Sequence, residues 1–439
     1  MLSIRVAGCR VVLAGLAVLT ALFFASCGDG GLLGRGEAYP TFSLVGAPDR
    51  SLAYDYAISG PDMLPITGRV AENETRVVVE VPAGADRLIQ ILSVGDVYSG
   101  RTTADLAPGA TTVVTIRLYP GPVFVDFLGQ QIVQIRDMSG AGQRSVGEVV
   151  DGASTYALSA VDAAYEESGA LWVASDFGGS GPELIRFYDL GALETEMDAV
   201  WPEYYGLRAV AVDTVEERLY AGVYDQYYYD EPTIFAIGLD GVYVENFVVE
   251  LTDPELGLEW PIVSGLTVDT TGTVHALIFD SYGGATSGIA RFHRETGQRI
   301  GDLKSLPGVV PEYSYGSPAP PIGDLRAVGS DLFVVSAISE PGEAVIFRYN
   351  LQLELQDSWG RRTESGAPSA GEFWGPRRFA ATRDPSQLVV IDQRDGGENG
   401  PGSGRLVEFR YGTTEGWAVF GDRGEFEFFD TRLDDMQTM

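Results

Sequence analysis

The sequence predicts an all-β protein, and three observations indicate that class. Apolar residues make up 45% of the 439 residues, which is enough for a sizeable core. The 55 glycines and 23 prolines are spread along the chain, as many tight turns would require. Between them lie short runs rich in β-branched and aromatic residues, such as Leu388–Ile391 and Leu406–Phe409, which are typical of strands. We therefore expect a fold built from short antiparallel strands.

The charge of the chain restricts its partners. There are 62 acidic and 30 basic residues, which gives a formal net charge of −32 at pH 7, and Lys304 is the only lysine. Such a surface repels nucleic acid and anionic lipid headgroups, so we expect no nucleic-acid partner. The charge favours solubility, for example in a salty environment. An acidic site for a basic partner is the alternative.

Residues 1–26 have the pattern of a lipoprotein signal peptide. Arg5 and Arg10 give the N-terminus a positive charge. An apolar run from Val11 to Phe24 follows, which is shorter than a typical membrane-spanning segment. The run ends in Phe24-Ala25-Ser26-Cys27, which resembles a bacterial lipobox and implies lipidation of Cys27. An ordinary secretory signal with an incidental cysteine and an uncleaved anchor helix are the alternatives.

A lipid on Cys27 would place the protein in the bacterial cell envelope, bound to a membrane by acyl chains. Cys9 and Cys27 are the only cysteines, so a mature chain that begins at Cys27 has no disulfide. Gly28 stands where an aspartate often retains lipoproteins in the inner membrane, which favours the outer membrane or the cell surface. Residues 27–40 follow as a Gly-rich tether.

Residues 41–119 predict a small antiparallel β-sandwich. Strand-like runs lie at Tyr54–Ile58, Arg76–Val81 and Thr111–Leu118, with turn residues between them. The turn Val81-Pro82-Ala83-Gly84 before a strand resembles that of immunoglobulin-like domains in bacterial surface lipoproteins. The resemblance implies a spacer or brace, and no catalytic group is evident in this stretch.

Residues 123–430 predict a six-bladed β-propeller. After the breaker cluster Tyr119–Pro122, groups of short strands repeat with a period of about 50 to 60 residues, within the range of propeller blades. Five of these groups begin with an apolar strand, as at Arg208–Asp213 and Gly265–Asp269. Each group makes an antiparallel sheet that leaves an apolar face bare, so the sheets must stack around an axis.

The remaining blade is expected to be split between the two ends of this region. Val123–Phe127, Gln131–Arg136 and Arg144–Gly147 supply strands without an inner one, and Glu425–Asp430 resembles an inner strand without a blade. Joining them would close the ring, so that the C-terminal strand completes the first blade and removes exposed sheet edges. Residues 431–439 are left as a tail.

One inter-blade sequence resembles the signature of the NHL-type six-bladed propellers. Ser358-Trp359-Gly360 is followed by Gly371-Glu372-Phe373-Trp374-Gly375-Pro376 and then by an apolar strand. The resemblance covers most of Val123 to Asp430. Trp201-Pro202 and Trp260-Pro261 replace the phenylalanine and proline in other blades, so the subfamily, and with it the function, stays open.

Carboxylates and large aromatic rings concentrate in the loops of one predicted face. In a propeller, the loops after the second strands share a face with the loops that enter the next blade. Aromatic faces beside carboxylates suit a sugar, a peptide or a cationic ligand. In the alternative, the aspartates shape turns and the rings pack between blades. The candidate ligand-binding residues are Asp176, Asp225, Asp280, Trp201, Trp260, Trp374 and Tyr205.

Calcium is the one metal that the sequence suggests, and no other cofactor is expected. Asp392, Asp395 and Glu398 lie close together with glycines between them, and oxygen ligands suit calcium, although the spacing is not that of an EF-hand. The two histidines do not indicate zinc. His275 occupies a position that aromatic residues hold in other blades, so we expect it to be structural, and we expect His293 to be exposed.

The sequence favours a lipid-anchored binding or scaffolding protein, with a protein, peptide or glycan as partner, over an enzyme. It contains no G-x-S-x-G motif and no Gly-rich loop with the lysine of a nucleotide-binding site. The competing interpretation is a carboxylate- or calcium-dependent hydrolase or lactonase with its site at the mouth of the propeller channel. Quinone-dependent sugar dehydrogenases share this fold, but the scarcity of histidine counts against them.

Overall fold

A computed structural model of the chain describes residues 2–6, 9–13, 36–46, 52–72, 74, 76–95, 97–126, 131–135, 143–151, 154–175, 183–187, 206–223, 233–251, 261–280, 287–305, 323–336, 342–363, 372–384, 387–394, 403–410 and 426–428. Within these residues every regular element is a β-strand, so the all-β prediction is confirmed. The chain divides into two compact units. The first comprises Met1–Val94 with Gly100–Leu118, and the second comprises Gly95–Ser99 with Tyr119–Met439.

The first residues of the chain form a hairpin. β1 (Leu2–Val6) pairs antiparallel with β2 (Cys9–Leu13). The rest of the predicted signal peptide and Cys27 lie outside the described residues. Among the residues that are described, no helix is long and apolar enough to cross a membrane.

Apart from the β1–β2 hairpin, the described residues of the first unit form two sheets that share one apolar core. One sheet has the strand order β10-β3-β6, with β7 also paired to β3, and the other includes the order β9-β8-β4-β5. Phe42, Ile58, Ile89 and Ile116 lie in the shared core and are at most 1% exposed. The strands are β3 (Glu37–Val45), β4 (Tyr54–Gly60), β5 (Met63–Val70), β6 (Arg76–Val78), β7 (Val81–Pro82), β8 (Gly84–Ser93), β9 (Tyr98–Leu106) and β10 (Thr111–Arg117).

Two features of this unit differ from the sequence prediction. β3 begins at Glu37, so residues 37–40 belong to a strand rather than to a tether. Pro40 fits there because its carbonyl accepts a hydrogen bond from the Val79 amide (3.1 Å), and proline lacks only the donor. β10 pairs with β3 in parallel, whereas the prediction was wholly antiparallel.

A buried arginine explains the turn at Val81–Gly84. Arg87 has no exposed surface, and its Nη2 donates to the carbonyl of Ala83 (2.7 Å) while Nε donates to that of Pro82 (3.2 Å). A Cβ at Gly84 would overlap the guanidinium group, so this position needs glycine. The motif therefore serves the packing of Arg87 in this unit.

Among its described residues, the second unit contains six antiparallel sheets of three or four strands, which we call sheets 1 to 6 in chain order. In each of them, strands that follow one another in the chain are hydrogen-bonded neighbours. Three short pairings accompany the sheets: β11 with the start of β9, the hairpin β15–β16, and the parallel pair β32–β33.

The strands of the second unit are β11 (Tyr119–Pro120); β12 (Val123–Asp126), β13 (Gln131–Ile135) and β14 (Gln143–Val146) in sheet 1; β15 (Glu148–Asp151) and β16 (Ser154–Ala157); β17 (Ala160–Tyr165), β18 (Leu171–Ser175) and β19 (Leu184–Phe187) in sheet 2; β20 (Leu207–Asp213), β21 (Arg218–Val223), β22 (Thr233–Gly238) and β23 (Tyr243–Glu250) in sheet 3; β24 (Pro261–Val268), β25 (Thr273–Asp280), β26 (Ser287–His293) and β27 (Lys304–Ser305) in sheet 4; β28 (Gly323–Val328), β29 (Asp331–Ser336), β30 (Ile346–Asn350) and β31 (Leu355–Trp359) in sheet 5; β32 (Arg361–Arg362) and β33 (Glu372–Phe373); and β34 (Pro376–Phe379), β35 (Gln387–Arg394), β36 (Ser403–Arg410) and β37 (Phe426–Phe428) in sheet 6.

Consecutive sheets pack on one another through apolar clusters, and sheet 6 packs on sheet 1. Ile132 of sheet 1 shares a cluster with Leu171 and Phe187 of sheet 2. Further clusters join sheets 2 to 6 in the same way. The last cluster contains Val133 of sheet 1 and Val389 of sheet 6. Each of these contacts buries part of an apolar face that a sheet would otherwise leave bare.

A main-chain bridge reinforces the contact between the last sheet and the first. The Val123 amide donates to the Ala381 carbonyl (2.9 Å), and the Ala381 amide donates to the Val123 carbonyl (2.7 Å). Val123 is 1% exposed and Ala381 is 2% exposed, so neither pair of groups has water as an alternative partner. This bridge ties the beginning of the second unit to its last sheet.

The C-terminal strand does not join sheet 1, and that part of the prediction is wrong. β37 pairs antiparallel with β36, opposite Gly404 and Leu406, as the fourth strand of sheet 6. Sheet 1 needs no further inner strand, because β12 holds that position and Val123 bridges to Ala381. Inner and outer strands show the same alternating pattern, so the sequence did not distinguish them.

A chain that ends at Asp422 is expected to keep the packing of sheet 6 on sheet 1, because β37 is the only strand that the structure describes beyond Asp422. Its melting temperature should fall less than that of Ala381→Pro, which lacks the amide that donates to Val123. An unsatisfied buried carbonyl costs about 1–3 kcal/mol. Thermal unfolding followed by circular dichroism compares the two proteins. A larger fall in melting temperature for the truncated chain would show that the contact between sheets 6 and 1 depends on the C-terminal strand more than on this bridge.

Candidate functional site

The first strands of sheets 2, 5 and 6 bring together two carboxylates and two guanidinium groups. We call Asp162, Asp324, Arg326 and Arg378 the inner-strand cluster. Asp162 and Asp324 are each 6% exposed and Arg378 is 1% exposed, while Arg326 is half-buried. Charges buried this deeply are tolerated only when they are paired and hydrogen-bonded. The contacts of the cluster therefore decide what it can do.

Repeated β-bulges precede two of these side chains, Asp162 and Arg378. In sheets 2, 3, 4 and 6 the register between the first and second strands shifts by one residue. A bulge bends its strand and redirects the neighbouring side chains. Asp162 and Arg378 follow directly after the bulges of sheets 2 and 6. The extra residues are Val161, Arg208, Ser264 and Arg377.

The two aspartates make the same pair of backbone contacts. Asp162 Oδ1 accepts from the amide of Ala163 (2.9 Å), and its Oδ2 accepts from that of Val210 in sheet 3 (2.8 Å). Asp324 Oδ1 accepts from the amide of Leu325 (2.8 Å), and its Oδ2 accepts from that of Phe379 in sheet 6 (2.9 Å). Each carboxylate thus joins its own first strand to the first strand of the next sheet.

The two arginines extend these links. Arg378 Nη2 donates to the carbonyl of Arg208 in sheet 3 (2.6 Å), and its Nη1 lies 3.2 Å from Oδ2 of Asp162 in sheet 2. Arg326 Nη1 donates to the carbonyl of Ala380 and to Oγ1 of Thr382 (3.1 Å), both beyond β34. Arg378 therefore connects sheet 6 with sheets 2 and 3, which are not its neighbours in chain order.

Burial alters the pKa values within the cluster. It raises the pKa of Asp162 above the usual 3.8, against the opposing charge of Arg378. Burial and then the charge of Asp162 raise the pKa of Asp324 from 3.8 to about 7. Burial also lowers the pKa of Arg326, while both aspartates oppose that change. The carboxylates titrate as an interacting pair that can hold a proton near neutral pH.

This arrangement suits bracing and proton binding better than metal binding. All four carboxylate oxygens accept backbone amides, and the guanidinium groups supply the opposite charge. Calcium requires about six to eight oxygen ligands. Within the described part of the chain, no three or more His, Cys, Asp or Glu side chains are grouped to hold a metal ion.

Most of the ligand-binding and metal candidates predicted from the sequence are not described by the structure. Asp280 ends β25, and only its backbone is described. Trp374 and Asp392 are the candidates whose side chains are described, and both belong to sheet 6 or the turn before it. The others fall outside the described residues, namely Asp176, Asp225, Trp201, Trp260, Tyr205, Asp395 and Glu398.

Asp392 is a fully buried capping residue. Its Oδ1 accepts a hydrogen bond from the Gly375 amide (2.9 Å), which fixes the turn that carries Trp374 to the end of β35. Ser175 has the same position in sheet 2, where its Oγ accepts from the amide of Ser159 (3.1 Å). The structure thus joins two predicted site residues at one end of sheet 6. There the carboxylate shapes a turn, as the alternative interpretation of the aspartates had it.

Both histidine predictions are confirmed. His275 has no exposed surface, and its Nε2 lies 2.8 Å from Oδ2 of Asp269, six residues earlier. Sheet 2 repeats this spacing, with Trp172 Nε1 donating to Oε1 of Glu166 (2.6 Å). His293 is exposed. The recurrent pairing of a carboxylate with the second strand holds the first hairpin of each of these two sheets.

The inner-strand cluster was missed in the sequence, although a signal for it exists. Asp162 interrupts the apolar run Ala160–Tyr165, and Asp324 and Arg326 alternate within Gly323–Val328. A charge inside an apolar strand must find a buried partner. The partners, however, lie on other sheets, 48 residues away for Asp162 and Val210 and 55 residues away for Asp324 and Phe379.

No protein-family model and no curated protein sequence matches the chain. Among solved structures, it is similar to the WD40 β-propeller domain of Doa1, with 15% identity over 57% of this chain and 64% of that chain and a TM-score of 0.31. It is also similar to a DUF4784 family protein from Bacteroides caccae, with 10% identity, 88% and 94% coverage and a TM-score of 0.36.

A third similar structure is the quinohemoprotein alcohol dehydrogenase from Comamonas testosteroni, with 12% identity, 60% and 44% coverage and a TM-score of 0.32. The chain spans less than two thirds of this enzyme and of the WD40 domain. The neighbours thus include a β-propeller. The sheet order and packing described above come from the chain's own strands.

Proposed function

We propose that this protein is a lipid-anchored, exported scaffold of the bacterial cell envelope that binds a protein, peptide or glycan. In this proposal the second unit is a six-bladed β-propeller of the NHL type, and the first unit is an immunoglobulin-like sandwich that spaces it from the membrane. The observation that carries the proposal is the inner-strand cluster. Its charges are used to brace the first strands, which leaves recognition to the loops.

The six-bladed architecture is supported by the packing of the sheets. Six antiparallel meanders follow one another, each shares an apolar cluster with the next, and sheet 6 shares one with sheet 1. A propeller protects its sheet edges by this radial repetition. The sandwich is supported by the single core that both sheets of the first unit share.

Lipidation of Cys27 is the part of the proposal that determines location. In Cys27→Ser, transfer of acyl chains to the sulfur cannot occur, so we expect the protein to leave the membrane fraction or to remain unprocessed. Fractionation and metabolic lipid labelling measure both outcomes, with Cys9→Ser as the matched control that keeps processing. A processed and lipid-labelled Cys27→Ser protein in the membrane fraction would overturn this assignment.

The end of sheet 6 that carries Trp374 is the proposed contact for the ligand. The ring of Trp374 is partly exposed, and Asp392 holds the turn beside it, so the ring is presented at low entropic cost. Glycan and peptide arrays probed with the purified mature protein should yield ligands whose binding weakens about tenfold or more in Trp374→Ala.

The control for this experiment is Leu355→Ala, which alters an exposed residue of the outer strand β31. We expect this variant to bind like the wild type. Equal loss of binding in both variants, or none in Trp374→Ala, would move the recognition surface away from sheet 6. No ligand at all on either array would count against a peptide or glycan scaffold.

A carboxylate- or calcium-dependent hydrolase or lactonase is the second candidate. It is favoured by Asp324, because a carboxyl group with a pKa of about 7 can exchange protons at neutral pH, as general acid–base catalysis requires. Turnover of a lactone and glycoside panel, lost in Asp324→Asn, together with a calcium-dependent melting temperature, would establish the enzyme. If no substrate is turned over and calcium does not change the melting temperature, the scaffold is favoured.

A further inference from the structure

We infer that the outer face of the sheet β10-β3-β6 is a contact surface between two copies of this chain, related by a two-fold axis that runs across the strands. This outer face is the side of the sheet that points away from the apolar core of the first unit. It has Thr41, Val78 and Val113 at its centre, Glu37 and Glu80 at one end and Arg117 at the other. The inference depends neither on the ligand nor on the lipid anchor.

An apolar row crosses the middle of the outer face. Val113 of β10 lies opposite Thr41 of β3, and Thr41 lies opposite Val78 of β6. Val113 is 66% exposed and Val78 is 64% exposed. Their neighbours in the chain, Val114 and Val79, are buried in the core. The alternation along both strands therefore leaves an apolar row on the outside of the sheet, which a partner would bury.

The two ends of the outer face carry opposite charges. At the end where β3 begins, Glu37 and Glu80 are exposed and lie close together, so that a hydrogen bond with Glu37 and then its charge raise the pKa of Glu80. At the end where β3 stops, the exposed Arg117 lies opposite Val45. β6 begins with Arg76 at this same end. A second copy can therefore offer the cations that the acidic end lacks.

The charges select one of the two ways in which two such sheets can pack face to face with two-fold symmetry. With the axis along the strands, each acidic end would meet the acidic end of the other copy. With the axis across the strands at Thr41, each acidic end meets a basic end, and Val78 and Val113 meet their own equivalents. Packed sheets lie about 10 Å apart, a distance that glutamate and arginine side chains span together from opposite sides.

The size of the outer face predicts a weak association. β3 has nine residues, so the face is about 27 Å long and, with three strands, about 14 Å wide. Two copies would bury at most about 1,200 Å² in total, which is the range of transient complexes. The net charge of −32 opposes association, but at 0.15 M salt charges more than about 8 Å apart are largely screened. We therefore expect a dissociation constant in the micromolar range.

Sedimentation equilibrium of the mature chain, produced without acyl chains, tests the inference. The wild type should pass from monomer to dimer between about 1 μM and about 500 μM. Val113→Glu brings like charges together near the axis, so the dissociation constant should rise about tenfold or more. Val242→Glu is the matched control, because Val242 is also 64% exposed but lies in a turn of the second unit. A monomeric wild type, or a dimer that Val113→Glu leaves intact, would overturn the inference.

An exchange of charges tests the orientation of the two copies. Arg117→Glu should associate more weakly than the wild type, and so should the double variant Glu37→Arg with Glu80→Arg, because like charges then meet at both ends. An equimolar mixture of the two variants should recover the dimer, since each end again meets its opposite. Circular dichroism checks that both variants are folded. If either variant dimerises alone as the wild type does, or if the mixture does not recover the dimer, the two-fold arrangement is wrong.

Discussion

Arg378→Met is expected to lower the free energy of unfolding of the second unit by about 3–5 kcal/mol, the usual loss when one partner of a buried ion pair is removed. Methionine keeps much of the aliphatic length but donates no hydrogen bond. The Arg208 carbonyl then loses its 2.6 Å contact, and the Asp162 carboxylate loses the guanidinium at 3.2 Å. A loss of this size is a large share of typical protein stability, about 5–15 kcal/mol.

Denaturant unfolding of Arg378→Met and of Arg361→Met measures this loss against an exposed arginine on β32. The control should differ from the wild type by less than about 0.5 kcal/mol. Combining Arg378→Met with Asp162→Asn should cost less than the sum of the two single changes, because both remove the same contact. Strict additivity would show that Arg378 does not stabilise the fold through Asp162.

Trp172→Ala is the second substitution with a large expected effect, about 3–5 kcal/mol of lost stability. Trp172 has no exposed surface, and its indole packs in the cluster between sheets 2 and 3. Its Nε1 donates to Glu166 (2.6 Å), and the guanidinium carbon of Arg186 lies 5.6 Å from the ring centroid. Alanine would leave a cavity and would take one donor from a carboxylate that is 3% exposed.

Trp172→Phe separates the two contributions. It retains most of the ring volume and removes the indole donor, so we expect a loss of about 1–3 kcal/mol, the cost of an unsatisfied buried group. Both variants are compared by denaturant unfolding with intrinsic fluorescence and circular dichroism. If Trp172→Phe costs as much as Trp172→Ala, the hydrogen bond to Glu166 accounts for the whole effect and the packing for none.

Patterns that arise within one sheet were predictable from the sequence. The strands Leu171–Ala174 and Leu332–Val335 were evident because β-branched and apolar residues mark buried strands wherever they pair. The structural role of His275 followed from its alignment with Trp172 and is visible in their shared carboxylate pairing. These features depend on residues within one hairpin, so their spacing along the chain carries the information.

Features that join different sheets were not predictable in the same way. β37 pairs with the edge strand of sheet 6 and not with sheet 1. The alternation of residues along β37 is compatible with either sheet, so it does not determine the pairing. Arg378 reaches the Arg208 carbonyl across 170 positions of the chain. No local pattern encodes such a pairing, because many other charged residues have similar neighbours. The role of Asp176 and Trp201 in ligand binding remains a prediction.

The bridge between Val123 and Ala381 has a consequence for how the protein folds. These two residues are far apart in the chain, so sheet 1 lacks the contact with sheet 6 until most of the second unit has been synthesised. Contacts of such long range are costly in chain entropy and slow to form. Until sheet 6 has formed, the apolar side of sheet 1, with Phe124 and Ile135, is exposed to water and is prone to aggregation. Formation of the contact between sheets 6 and 1 should therefore be the slow step in the folding of this unit.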